Sequence, residues 1–177
     1  MKSSLTFAGM LIAASALASA QGSPSETASF TIPAKTISIN YSAPSVNGRE
    51  GKLFGKDGRI AKDRTYPVWR AGANAATCFH TDADLDVGGL TVPKGDYTLY
   101  VNLADPDNWE LIINKQTRQW GLTYDASRDV GRIKMTMSKP AAMIETLRYT
   151  VGDEGGHKAR LVLEWEDHVA SVPITVK

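Results

Sequence analysis

The sequence has little cysteine, little net charge and no hydrophobic run long enough to span a membrane. Cys78 is the only cysteine among 177 residues, which excludes an intramolecular disulfide and any zinc site built on paired cysteines. The formal net charge is only +1, so the chain as a whole offers no basic field to nucleic acid or anionic lipid. The apolar run near the N-terminus is too short for a transmembrane helix. A packed core must therefore hold the fold together.

The first twenty residues have the pattern of a secretory signal peptide. Lys2 precedes an apolar stretch from Leu5 to Ala18, and Ala18-Ser19-Ala20 matches a cleavage site of the A-x-A type. We expect cleavage near Ala20, before Gln21, and export to the periplasm or the exterior of a bacterium, with no membrane anchor left. Small and polar residues dominate the start of the next segment, so residues 21–34 are expected to form a flexible leader.

Most of the remaining chain, residues 35–177, alternates between apolar and polar residues with a period of two. This alternation is typical of half-buried strands. It predicts one all-β domain, a β-sandwich of seven or more mainly antiparallel strands, with a jelly roll or a barrel as the alternative. The predicted strands contain the apolar residues at 37–41, 97–103, 109–113, 133–137, 147–151, 159–165 and 172–176. Pro173 lacks a backbone donor and predicts that the last strand lies at an edge or a bulge.

Residues 44–67 do not fit this pattern. The segment is rich in glycine, lysine and arginine and poor in apolar residues, and we call it the basic loop. A loop of this length in a compact domain is usually functional or mobile. Leu53-Phe54 is the one apolar pair that could anchor it against the sandwich.

Several segments in order, INYSAPSVNGR, VWRAGANAAT, GGLTVPKGDYTLY, WELIINK, QWG and LEWEDHVASVPI, resemble a family of exported bacterial proteins, domain of unknown function family 2911. The likeness extends over most of the chain, and VWRAGANAAT is its most specific segment. It implies one compact, mostly-β exported domain. It implies no activity and no cofactor, so it transfers no catalytic residue.

The residue types that could support catalysis are present without a recognisable arrangement. Cys78 and His80 would face the same side of one strand, about 7 Å apart, which is too far for a nucleophile and its base. The candidate carboxylates for a general acid/base pair are Glu110, Asp125, Asp129, Glu164 and Glu166. His157 and His168 are predicted to be solvated turn residues. We therefore assign no catalytic residue and favour a protein that is not an enzyme.

Asp82, Asp84 and Asp86 open a D-x-D-x-D pattern, which is typical of loops that bind calcium through carboxylate oxygens. An EF-hand would need glycine at its sixth position and glutamate at its twelfth, where this chain has Val87 and Pro93. The three aspartates are therefore weak calcium candidates. We expect no metal and no other cofactor.

The predicted ligand site consists of Trp69, Arg70, Asn74, Asn114 and Trp120. Trp109 and Trp165 alternate in phase with apolar neighbours and are predicted to be core residues. Trp69 and Trp120 could instead present flat apolar faces to a carbohydrate, with Arg70 and the two asparagines reading its polar groups. The alternative is that Arg70 and Asn74 form a polar clamp that fixes a turn entering a strand.

These observations predict an exported, non-catalytic β-sandwich that acts as a periplasmic binding or envelope-accessory module. A glycan or another envelope component is the expected partner. One alternative is a periplasmic hydrolase with a dispersed acid/base pair. Another is a structural subunit that pairs through an edge strand. The ligand, the oligomeric state and the physiological role do not follow from the sequence.

Overall fold

The computed structural model describes residues 22–32 and 35–177, so the predicted signal peptide lies outside the described residues. The strands in chain order are β1 (Ser25–Ile32), β2 (Lys35–Ser42), β3 (Val68–Trp69), β4 (Thr77–Thr81), β5 (Leu85–Val87), β6 (Leu90–Val92), β7 (Gly95–Asn102), β8 (Glu110–Asn114), β9 (Asp129–Lys134), β10 (Thr136–Ser138), β11 (Ile144–Gly155), β12 (Lys158–Glu166) and β13 (His168–Val176). Two 3₁₀ helices span Ile60–Lys62 and Ala126–Arg128. Within the described ranges no helix is long and apolar enough to cross a membrane.

The strands form two antiparallel sheets, which confirms the predicted β-sandwich. The seven-stranded sheet has the order β1-β2-β4-β7-β8-β9, and β3 pairs beside β7. The six-stranded sheet has the order β11-β12-β13-β5-β6, and β10 pairs beside β13. The period-two pattern explains this layering, because alternate side chains of each strand point to the same face and can be buried between the sheets.

The main core lies between the two sheets and contains the residues that the alternation marks. Ile37, Ile39 and Tyr41 of β2 face inward from one sheet, and Leu161 and Leu163 of β12 face them from the other. Trp109 and Trp165 are also buried, as predicted. Burying large apolar and aromatic side chains is the main source of stability in a domain that has no disulfide.

Two local predictions differ from the structure. Residues 25–32, assigned to the flexible leader, form β1, and this strand pairs with β2 along its whole length from Ser25 to Ile32. The last strand, β13, is not an edge strand, because it pairs with β12 on one side and with β10 and β5 on the other. Pro173 lies between the residues of β13 that pair with β10 and those that pair with β5. At this position neither strand requires a hydrogen bond from the backbone N–H that proline lacks.

The outer face of the seven-stranded sheet is also partly buried. Tyr100 of β7 and Ile112 of β8 are fully buried on that face, and Tyr124 packs against them. The segment 115–128, which we call the covering loop, lies across this surface. Gln119 of the covering loop donates from Nε2 to Tyr100 Oη (2.9 Å), and Tyr100 donates to Thr123 O (2.8 Å). These contacts hold the covering loop where Trp120 emerges from it.

The basic loop is ordered by a few apolar side chains. Leu53 and Ile60 are buried in the core, and Phe54 packs against its aromatic residues. Ile60 N donates to Leu53 O (3.1 Å), and Glu166, the last residue of β12, accepts a hydrogen bond from Gly51 N (2.5 Å). The predicted anchor at Leu53-Phe54 is therefore present, and Ile60 adds a second one.

Candidate functional site

The largest group of predicted ligand residues meets at one cavity of about 400 Å³, which we call the Trp120 cavity. It lies among the basic loop, the turn 70–74, Trp120 of the covering loop and Trp165 of β12. Trp69, Arg70, Asn74 and Trp120 all line it. A volume of this size is within the range of pockets that hold small ligands.

The turn 70–74 is held in place by buried hydroxyl groups rather than by Arg70 and Asn74. Thr77 Oγ1 lies within hydrogen-bond distance of the carbonyl oxygens of Arg70 (3.0 Å) and Ala71 (3.1 Å). Tyr149 Oη donates to Ala71 O (2.9 Å), and Ala73 N donates to Ser42 O (3.1 Å). Burial raises the pKa of Tyr149, so its phenol stays protonated and remains a donor. The clamp therefore exists, but Thr77 and Tyr149 form it.

Replacing Tyr149 with phenylalanine should destabilise the protein by about 1 kcal/mol, because it removes one buried hydrogen bond and keeps the ring. The double variant with Thr77→Val should lose more stability than the two single variants together, because the Ala71 carbonyl then has neither hydroxyl donor. Urea denaturation of the two single variants and the double variant measures the coupling. Strictly additive losses would mean that the two hydroxyl groups do not share the Ala71 carbonyl.

The Arg70 side chain is mostly buried and only partly paired. Its Nη2 lies 3.3 Å from Asp63 Oδ2, and this is its one ion-pair contact among the described residues. The side chain is 16% exposed, and its Nε has no hydrogen-bond partner among the described residues. Gly121 lies directly against the aliphatic part of Arg70 and donates from its N to Asn74 O (3.1 Å).

The two tryptophans of the site differ in exposure. Trp69 is 2% exposed and stacks on Trp165, with ring centroids 5.9 Å apart and planes at 14°. Trp69 is therefore a core residue that also contributes to the cavity wall. Trp120 is 54% exposed, and its backbone is fixed by an antiparallel bridge to Ala75. It presents a large apolar surface to solvent at the cavity.

Asn114 lies apart from the other four predicted ligand residues. It is fully buried at the end of β8 and does not line the Trp120 cavity. Its Nδ2 donates to Asp125 O (2.9 Å) and to Asp129 Oδ1 (2.7 Å), and its Oδ1 accepts from Gln116 N (2.8 Å). These bonds join the two ends of the covering loop, so Asn114 has a structural role that the sequence did not indicate.

Cys78 and His80 do not form a pair. Cys78 is a free, half-buried thiol whose Sγ lies 3.7 Å from Ala76 O. His80 Nδ1 lies 2.7 Å from Asp96 Oδ1, and its Nε2 lies 3.0 Å from Asp82 Oδ1. Because both ring nitrogens face carboxylates, neither is directed at the thiol. The hydrogen bonds to Asp96 and then to Asp82 raise the pKa of His80 above its ordinary value of 6.5.

The raised pKa of His80 predicts a pH-dependent stability. The protonated ring is favoured in the folded state, so the stabilisation is fully present below pH 6.5 and is lost as the pH rises through the folded-state pKa. The effect should be at most about 1 kcal/mol, because the ion pairs are exposed to water. Urea denaturation of the wild type and His80→Gln at increasing pH measures it, with His157→Gln as the control. A difference that does not shrink with rising pH would contradict the prediction.

The three weak calcium candidates bond to different parts of the protein. Asp82 Oδ2 accepts from Thr36 N (3.1 Å), Asp84 Oδ1 accepts from Lys94 N (2.8 Å), and Asp86 Oδ1 accepts from Gly89 N (2.9 Å). Each aspartate thus fixes a separate stretch of backbone near the β5–β6 hairpin. The arrangement favours structural roles for all three.

The predicted carboxylates are also engaged separately. Glu110 accepts from Asn102, Asp125 caps Ser127, Asp129 accepts from Tyr124, Glu164 pairs with Arg148 and Glu166 accepts from Gly51. Burial raises the pKa of Glu166, against the opposing hydrogen bond from Gly51. The structure therefore gives each of these groups a local partner of its own.

Glu166, Asp167 and His168 form the one cluster of potential metal ligands among the described residues, with one ligand atom from each within 4.8 Å of the others. They are consecutive residues: Glu166 ends β12, Asp167 forms the connection and His168 begins β13. His168 is not a solvated turn residue as predicted, since its ring stacks on Trp109 with centroids 4.8 Å apart. Burial lowers the pKa of His168, which favours the neutral ring.

Arg59 and Lys62 also line the cavity and are not among the predicted ligand residues. Both are exposed residues of the basic loop, next to the buried Ile60. The basic composition of the loop was the signal that could have indicated them. It could not show that Leu53 and Ile60 turn this part of the loop toward Arg70.

No curated protein and no solved structure matches the chain. A family model described as "Protein of unknown function (DUF2911)" matches residues 23–174, a range that includes β1 and both sheets. The chain therefore belongs to the DUF2911 family of proteins of unknown function.

Proposed function

We propose that this protein is an exported, non-catalytic binding module and that the Trp120 cavity is its ligand site. The observation that carries the proposal is Trp120, an indole that is 54% exposed and held by backbone bonds beside a cavity of about 400 Å³. An indole beside a cavity that is also lined by polar groups offers the combination of apolar and polar contacts that ligand sites use.

The roles of the neighbouring side chains support this proposal. Thr77 and Tyr149 already hold the turn 70–74, so the fold does not need the Asn74 side chain as a clamp. Asn74 is exposed at the cavity. Arg70 lines the same cavity, and its aliphatic part packs against Gly121. A flat indole beside polar side chains suits a glycan or another envelope component, whose rings have both apolar faces and hydroxyl groups.

The lining of the cavity favours binding over hydrolysis. Asp63 is the one carboxylate among the described residues that line it, and Asp63 pairs with Arg70. A glycoside hydrolase of the common type needs two carboxyl groups that flank the bond to be broken. The cavity offers aromatic and polar contact surface instead, which is what recognition of a ligand requires.

A thermal-shift screen tests the proposal. The protein from Gln21 onward is tested against glycans, peptidoglycan fragments, calcium and EDTA. A ligand that binds only the folded state should raise the melting temperature by roughly 5 °C at a concentration about a hundredfold above its Kd. Trp120→Ala should abolish the shift and change stability by less than about 0.5 kcal/mol, because the ring is exposed.

Met143→Ala is the matched control, since Met143 is the other large hydrophobic residue that is exposed among the described residues. It should keep the ligand-induced shift. A shift that persists in Trp120→Ala would place the site elsewhere, and a screen without any shift would favour the structural subunit.

The signal-like N-terminus supports export, and this part of the proposal has its own test. Expression of the full chain in a Gram-negative host should deliver protein to the periplasm with Gln21 as its first residue. Mass spectrometry of the purified protein identifies that residue. An uncleaved chain in the cytoplasm would contradict export and leave the cavity argument unchanged.

A further inference from the structure

The Trp120 cavity concentrates positive charge in a chain that is almost neutral overall. Four cationic residues, Arg49, Arg59, Lys62 and Arg70, line it together with the single carboxylate of Asp63. The formal net charge of the whole chain is +1. Because a cleft focuses the field of the charges that line it, this excess of cations favours an anion at the cavity.

The four cations differ in how far the protein itself uses them. Arg49 is committed to the basic loop, because its Nε and Nη2 donate to Val46 O (2.8 Å) and Ser45 O (2.6 Å). Arg59 and Lys62 are exposed, and no side-chain hydrogen bond or ion pair joins either of them to another described residue. The buried Ile60 lies between them and holds this turn at the cavity. Neither of these two charges is therefore used in a contact with another described residue.

Arg70 is the cation whose own bonding is incomplete. Its side chain is 16% exposed, yet its guanidinium has one ion-pair contact of 3.3 Å with Asp63. Its Nε finds no acceptor within the part of the chain that the structure describes. A mostly buried guanidinium is stabilised by charged acceptors, and planar carboxylate or tetrahedral phosphate groups match its donor geometry well.

We propose that the ligand of the Trp120 cavity is anionic, with a carboxylate or phosphate group bound by Arg59, Lys62 and Arg70 and an adjoining sugar ring placed against Trp120. This inference rests on the proposed binding function and adds the chemical class of the ligand. Acidic glycans and phosphorylated sugars share this combination of a charged group and a ring with an apolar face.

Three small probes test the charge requirement: methyl β-glucoside, its uronic acid and its 6-phosphate. They share one ring and differ only at C6. Each is titrated at low salt up to millimolar concentration while the indole signals are followed by NMR. We expect the dissociation constants obtained from the Trp120 signal to be at least about tenfold lower for the acidic probes than for the neutral probe. The reason is that hydrogen bonds between charged groups are stronger than those between neutral groups. The carboxylate and phosphate forms then show which anion is preferred, and added salt should weaken either one.

The double variant Arg59→Gln/Lys62→Gln isolates the charges. It should bind the acidic probes about tenfold more weakly, leave the neutral probe unchanged and retain the wild-type melting temperature. The matched control is Lys94→Gln/Lys158→Gln, which removes the same charge from exposed residues. Lys94 immediately precedes β7, and Lys158 is the first residue of β12. Trp69 pairs near the last residues of β7, and Trp165 lies near the last residue of β12, so the control residues are at the opposite ends of these strands. The control should bind all probes as the wild type does.

The outcomes separate this inference from the proposed function. Equal binding of all three probes would overturn the anionic ligand, and acidic binding that survives in Arg59→Gln/Lys62→Gln would overturn the assignment of the anion to these two residues. Either result would keep a binding site at Trp120. A Trp120 signal that responds to none of the probes and to nothing in the thermal-shift screen would overturn both.

Discussion

Replacing Phe54 with alanine is expected to destabilise the protein by about 3 kcal/mol, the cost typical of deleting a packed aromatic ring. The Phe54 ring lies within 6 Å of four other aromatic rings. Its centroid is 5.6 Å from that of Trp69, 5.0 Å from Trp109, 5.8 Å from Trp165 and 4.5 Å from His168. Each edge-on or tilted aromatic pair adds to the stabilisation that the buried area provides.

The loss should be concentrated in the basic loop, because Phe54 is one of its few apolar anchors. Without the ring, Arg59 and Lys62 lose their fixed position, and the lysines and arginines of the loop become accessible to trypsin. Urea denaturation measures the stability, and native-state proteolysis should become about tenfold faster or more. Phe54→Leu is the control that keeps an apolar side chain and should recover much of the loss. Unchanged proteolysis in Phe54→Ala would show that Leu53 and Ile60 hold the loop without it.

Replacing Gly121 with alanine is the second change with a large expected effect. A Cβ at this position would overlap Arg70 Cδ and lie 2.7 Å from Asn74 O. The carbonyl oxygen belongs to the backbone, so a rotamer change of Arg70 alone cannot relieve the overlap. The covering loop must move, which breaks the hydrogen bond from Gly121 N to Asn74 O (3.1 Å). We expect a loss of about 2 kcal/mol from this forced displacement.

The same displacement should impair the ligand site, because Trp120 precedes Gly121 and is bridged to Ala75. Binding of whichever ligand the thermal-shift screen identifies should therefore fall together with stability. Gly152→Ala is the control, since a Cβ there meets nothing within 4 Å and the residue lies in β11. It should leave stability and binding nearly unchanged. An equally small effect of Gly121→Ala would mean that the covering loop approaches Arg70 less closely than described.

The two stability predictions address different walls of one cavity. Phe54 supports the basic loop, which carries Arg59 and Lys62, and Gly121 allows the covering loop to bring Trp120 beside Arg70. If both variants lose binding and Tyr149→Phe retains it, the ligand depends on the position of the two loops rather than on the Tyr149 hydroxyl group that holds the turn 70–74. That result would agree with the proposed division between a structural clamp and a ligand site.

Much of the fold follows from local sequence. Side chains along a strand alternate between two faces, so the pattern at Ile37, Ile39 and Tyr41 indicates which residues a sandwich must bury. Trp109 and Trp165 follow from the same alternation. A signal at Tyr100 and Ile112 was also present, because each lies in a run of three apolar residues, 99–101 and 111–113, and strands buried on both faces contain such runs. It indicates an outer cover but does not identify which segment provides it.

Part of the candidate site was accessible in the same way. Trp69, Arg70 and Asn74 are close along the chain, so their neighbourhood at a turn could be predicted. Trp120 could be proposed because it lies outside the alternating strands. Asn114 was misplaced, since its residue type suits ligand contacts and structural bonds equally well. Only the positions of Gln116, Asp125 and Asp129 around it show that its hydrogen bonds are already used.

The sequence by itself therefore determined an all-β sandwich and a polar turn that contains Arg70. Tertiary structure alone decided that Arg59 and Lys62 line the same cavity as Arg70 and Trp120. It also decided that His80 meets Asp96 from the neighbouring strand. The physical reason is that strand patterns depend on residues two positions apart, whereas these contacts depend on how distant loops pack. Their positions are set by Leu53, Phe54, Ile60 and Gly121, whose partners lie far away in the chain.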